Sequence, residues 1–148
     1  MFNFKYIFKP NYERYEGVRP INIYLLRFFY FLMPVFVATE TWTEIFTHTD
    51  TWDRYRAMSA CVLSAYSTLA VFGLFRPLKW LPIMIFMIFY KTLWLITHAY
   101  PLWRAGELAG SPSAEMAGVF FLAPVLALIV PWKYVFENFV YKPKKQMT

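Results

Sequence analysis

The apolar run from Trp80 to Tyr100 holds a single charged side chain, Lys91. Trp94 and His98 follow it at i+3 and i+7, so the three share one face of a helix. Glu40 and Glu44 stand one helical turn apart, where an earlier apolar run ends. An amine, an imidazole and two carboxylates can bind an anion or small polar substrate, relay protons, or simply neutralise one another. Lys91 lies eleven positions into its run, about 16 Å along a helix, which is near the middle of a bilayer core about 30 Å thick. A charge at that depth costs at least about 2.5–3.5 kcal/mol, so it needs a partner or a purpose. The economical arrangement is a polar seam in which Lys91 pairs with Glu40, and His98 hydrogen-bonds to Glu44 or Tyr100. Two readings follow: a structural ion pair that fixes helix register, or a functional cluster.

Other chemistry finds little support. Glu44 and His48 are spaced i, i+4 and with His98 would offer three ligands, but HExxH and ExxH are both absent. No metal, haem or other cofactor is expected. Cys61 is the only cysteine, which excludes CxxC redox chemistry and thiolate-rich metal centres. GxSxG, the P-loop and GxGxxG are also missing, so catalysis has no positive signal.

The elements that must position these residues are membrane helices. Of 148 residues, 59% are hydrophobic and 22% aromatic, only 16% are charged, and mean hydropathy is +0.37. Soluble domains carry nearer a quarter charged residues, and this much apolar surface excludes disorder. Four segments have the length a bilayer demands: about 21–46, 57–75, 80–100 and 114–132. A soluble four-helix bundle fails, because almost nothing would remain for its polar outer face. The expectation is an all-α, polytopic membrane protein, a single four-span domain over 1–148. Residues 1–20 form a basic, aromatic tail without the apolar core of a signal peptide, read either as a short interfacial helix around Phe2–Phe8 or as a loosely ordered tail. Residues 133–148 form a second basic tail, with an interfacial helix possible toward Tyr141.

Charge sets the orientation. Lys5, Lys9, Arg14, Arg19, Arg27, Arg76, Lys79, Lys133, Lys142, Lys144 and Lys145 fall on the side of the termini, against Arg54, Arg56 and Arg104 on the other. The positive-inside rule then makes both termini cytoplasmic, in the cell (inner or plasma) membrane. The net charge of +6 is thereby read as facing anionic lipid headgroups, which Arg27 can also reach, and not nucleic acid. Trp80 and Trp132 mark the inner interface; Trp42, Trp52 and Trp103 mark the outer one.

For packing, the second segment offers small residues Ala57, Cys61 and Ala65 at i, i+4 spacing, beside Ala60, Ser64 and Thr68. The fourth carries Gly118, Ala123 and Ala127. Pro34 and Pro124 are expected to kink their helices. The size and four-span, both-ends-inside layout resembles the DoxX-like small membrane proteins in hydropathy and topology, with no shared motif, so it implies no activity and no site residue. The functional expectation is a non-enzymatic accessory, scaffold or structural component that packs with itself or with another membrane protein. A small transporter or channel for a proton, anion or small polar solute, using the Lys91/Glu40 seam, is the first alternative. An intramembrane lipid-handling enzyme, its substrate beside Trp94 and Tyr90, is the second.

Overall fold

The computed structural model describes residues 6–141, so the expectations for Phe2, Phe4, Lys5, Lys142, Lys144 and Lys145 fall outside the described residues. Among those described there is helix throughout and no strand. A short turn of helix, α1 (Tyr12–Tyr15), precedes four helices long and apolar enough to cross a membrane: α2 (Pro20–Thr47), α3 (Arg54–Phe75), α4 (Leu81–Arg104) and α5 (Pro112–Ile129). A last short helix, α6 (Trp132–Val135), continues as a wider turn over Phe136–Val140.

Proline sets the irregularities. Pro34 has no N–H to offer the Tyr30 carbonyl, and α2 widens into a π-helical stretch at Met33–Ala38. Leu95–Ala99 of α4 does the same just before Pro101. In α5 the break falls at Phe121, beside the Phe120 carbonyl that Pro124 cannot bond. The fourth segment ends at Ile129, earlier than the expected Trp132, because Val130 precedes Pro131 and is pushed into an extended conformation (ψ 127°).

The chain divides into two compact units. The first holds everything up to Ile83 together with Pro131 onward; the second is Met84–Val130. In the first unit, Asn11 caps α1 by accepting from the Arg14 amide at 2.9 Å. Gly17, at φ +82°, turns the chain back so that its amide meets the Asn11 carbonyl at 2.9 Å and Val18 is buried. The α1 turn thus falls at Tyr12–Tyr15, after the aromatic cluster that the sequence singles out. Asp53 caps α3 by accepting from the Tyr55 and Arg56 amides.

α2 and α3 pack along their length. Ile23, Leu26 and Tyr30 of α2 are fully buried, and the Tyr30 hydroxyl donates to the Pro77 carbonyl at 3.3 Å. The indole N–H of Trp42 donates to Thr68 Oγ1 at 3.0 Å. The buried row of α3 is Ala60, Ser64, Ser67, Ala70 and Gly73. This differs from the expected row: Ser64 is buried and Ala57 half-buried, but Cys61, Ala65 and Thr68 are exposed. Gly73 decides the rotation, because only a residue without a side chain admits the Tyr30 ring at that point. α6 returns to the N-terminal turn, where buried Tyr134 hydrogen-bonds the Glu16 carboxylate. Burial, followed by that bond and the carboxylate's charge, pushes the tyrosine pKa up to about 12.

In the second unit, α4 turns into α5 through Gly106 and Gly110, both in the left-handed region (φ +75° and +82°). Met84, Met87, Ile88, Ala99, Ala123, Leu126 and Val130 are its buried side chains.

Candidate functional site

The second unit carries the face that the sequence marks. Lys91 is half-buried, and its ammonium sits 4.8 Å from the centroid of the Phe120 ring, over its face. A cation there is attracted by the ring quadrupole, worth about 0.5–1 kcal/mol in water and about 2 kcal/mol or more when desolvated. Trp94 meets the same ring edge-on at 5.0 Å, and Tyr90 does so at 5.8 Å. One turn further along α4, His98 lies 4.9 Å from the Trp94 ring, and its Nε2 is 3.0 Å from Ser113 Oγ. The result is a ladder of Tyr90, Lys91, Trp94 and His98 on α4, closed by Phe120 and Ser113 of α5.

Local sequence explains this placement. Residues 91, 94 and 98 share a helix face by spacing, and 113 and 120 are seven apart, two turns along one face of α5. Phe120 and Ser113 are the site residues that reading single residues misses. The i, i+7 spacing opposite an aromatic–basic face was the available signal. Within this unit the carboxylates Glu107 and Glu115 form no ion pair with Lys91 among the described residues, and no cluster of His, Cys, Asp and Glu there could hold a metal ion.

The other expected seam residues belong to the first unit. Glu44 Oε1 accepts from Arg56 Nε at 2.6 Å, an ion pair between α2 and the first turn of α3. Asp53 fixes Arg56 at that turn, and the short connection between antiparallel helices brings it to Glu44. Within its own unit His98 has Ser113, and not Tyr100, as its partner, and Glu44 in the first unit is neutralised by an arginine that the seam left out. Glu40 is exposed on α2.

Chemically, the ladder can hold a cation-bearing side chain against aromatic faces and offer one imidazole to solvent or substrate. No protein-family model, no curated protein and no solved structure matches this chain.

Proposed function

We propose that this chain is a small multi-pass integral membrane protein with four spans and both termini cytoplasmic. Its role on this reading is non-enzymatic, that of an accessory or scaffold component packing with itself or with another membrane protein. The uncovered apolar surface carries the reading. Only 17–33% of the apolar window of each long helix is buried within the chain. Phe36, Phe46, Phe75, Phe89, Phe121 and Leu128 all stand more than half exposed, and Leu128 is 84% exposed. A soluble monomer rarely leaves apolar patches beyond a few hundred Å² facing water, whereas a bilayer or a partner's helices accept them at no cost. The Tyr134–Glu16 bond supports an even number of crossings, because it holds the start of the C-terminal segment beside the N-terminal turn.

The test is single-cysteine accessibility. Cys61 is exposed, so it is first replaced by alanine. Thr148→Cys should then label from the cytoplasmic side alone and Ser111→Cys from the opposite side alone, in membranes that retain the protein through an alkaline carbonate wash. Labelling of both positions from one side would sink the four-span layout.

A second reading concerns Lys91 and is favoured by its surroundings. Its own unit offers it an aromatic ring and no carboxylate partner among the described residues. Glu40 is proposed as that partner, giving a pair that fixes helix register or lines a path for a proton, anion or small polar solute.

A further inference from the structure

The first unit contains a cleft of about 240 Å³ beside the connection between α3 and α4. Four cations line it: Arg14 of α1, Arg27 of α2, and Arg76 and Lys79 of the connection. Its one carboxylate, Glu16, is already engaged by the Tyr134 hydroxyl. None of the four cations forms an ion pair among the described residues. Arg14 instead lies over the Tyr15 ring at 5.6 Å, also in the cleft wall. The Nε of Arg27 is buried and has no hydrogen-bond partner.

Those observations belong together. Four like charges around one small space repel unless an anion enters, and a buried guanidinium N–H without an acceptor is costly. Guanidinium groups present paired donors at the spacing of phosphate oxygens, which makes phosphate their natural counter-ion. The cleft is too small for a nucleotide yet ample for one phosphate group with a short polar substituent. Its other walls are Ile23, Phe75, Pro77 and Leu78, and Phe75 is 74% exposed, next to the apolar outer face of α3. A ligand that places a phosphate among arginines and runs hydrocarbon out over phenylalanine is an anionic phospholipid.

We infer that this cleft is a headgroup site for the phosphate of an anionic phospholipid, held by Arg27 and Arg76 with Arg14 and Lys79 at its mouth. The site rests on the membrane reading above, and on α3–α4 lying at the cytoplasmic interface, where such lipids are exposed.

The experiment uses the full chain in nanodiscs of phosphatidylcholine with one fifth phosphatidylglycerol, followed by detergent release and native mass spectrometry. The wild type should retain one phosphatidylglycerol in preference to phosphatidylcholine. Arg27→Gln with Arg76→Gln should lower that retention about tenfold or more, whereas Lys133→Gln with Arg54→Gln, the same loss of charge away from the cleft, should leave it unchanged. Arg27→Lys keeps the charge, removes the buried Nε donor and should fall between. Equal retention by the Arg27/Arg76 variant and the wild type would overturn the site, as would equal loss in the control variant, which would mean net charge alone. A second arm gives lipid-free protein inorganic phosphate alone. Displacement of the lipid by millimolar phosphate, with equal thermal stabilisation, would identify a soluble phosphate and overturn the lipid assignment. Failure of the chain to survive the carbonate wash would count against the membrane reading itself, a result distinct from all of these.

Discussion

Replacing Gly73 with alanine sets two effects of opposite sign against each other. A Cβ built at this position would stand 2.5 Å from both Cγ and Cε1 of the Tyr30 ring. Carbon atoms in contact sit at about 3.5–4.0 Å, so the overlap is about 1 Å and involves several ring atoms at once. The ring has no easy escape, because Tyr30 is fully buried and its hydroxyl is tied to the Pro77 carbonyl. Overpacking of one methyl in such a place costs about 1–3 kcal/mol or more. Against it, alanine is favoured over glycine inside a helix by about 1 kcal/mol. The clash should win, leaving a net loss of about 1–2 kcal/mol, or roughly 5- to 30-fold in the unfolding equilibrium.

Gly118 supplies the control. It also lies within a helix, but nothing stands within 4 Å of its added Cβ. Gly118→Ala should therefore stabilise by up to about 1 kcal/mol. Tyr30→Leu should remove the clash, so that Gly73→Ala costs nothing further in that background and the coupling between the two sites is about 1–2 kcal/mol. Reversible unfolding in mixed micelles, followed by tryptophan fluorescence, reads all four variants. If Gly73→Ala proves as stable as the wild type, or shifts upward with Gly118→Ala, then Tyr30 is not seated against residue 73 and the α2–α3 register described here is wrong.

Two further outcomes follow from the same geometry. Lys91→Met alone should strand Glu40 and destabilise by about 3–5 kcal/mol if the two are paired, and Lys91→Met with Glu40→Gln should recover most of that loss; a double variant no more stable than the single one removes Glu40 as the partner. Tyr134 has a folded-state pKa raised to about 12 from the ordinary value near 10, first by burial and then by its hydrogen bond with the Glu16 carboxylate, so the stability that goes with its neutral, buried phenol is full below pH 10 and is lost as pH rises through 12. Tyr134→Phe should cost about 1–2 kcal/mol at neutral pH and flatten the fall in stability between pH 10 and 12, measured as the difference from wild type; an unaltered fall would place its cause elsewhere.

The four long helices were legible because unbroken apolar runs of bilayer length have few other solutions. Their irregularities were legible at two prolines, Pro34 and Pro124, which go with a widened turn and a break, whereas the stop before Pro131 went unread and the fourth segment was carried on to Trp132. Spacing alone aligns Lys91, Trp94 and His98 on one face of α4. The packing face of α3 was not legible. That helix carries two rows of small residues, Ala57–Cys61–Ala65 and Ala60–Ser64–Ser67–Ala70, on a background that is apolar all round. Composition cannot choose between them, and the choice is made by residues on another helix, the Tyr30 ring and the Trp42 indole. The ion-pair partner of Glu44 was hidden for the same reason. That partner, Arg56, is placed by a cap and a connection, not by depth along a helix.

What becomes of polar groups in these apolar helices gives Arg27 its meaning. Thr39, Thr41, Thr43, Thr47, Thr97 and Ser59 each donate their hydroxyl to the carbonyl four residues back, so the helix satisfies them without outside help. Trp42 and Thr68 satisfy each other between helices. Against that consistent satisfaction, buried side-chain atoms without a partner are few among the described residues: Ser64 Oγ, His48 Nε2 and Arg27 Nε. Ser64 sits in the packed row of α3, where its small volume is the requirement, and His48 lies against Trp52 with ring centroids 4.0 Å apart. Neither lines the cationic cleft. Arg27 does, and it is the only one of the three whose unmet need is for an anion. A fold that returns hydroxyls to their own backbone so consistently has left one donor unmatched on a residue that lines a cleft with three other cations, which is where a phosphate would complete it.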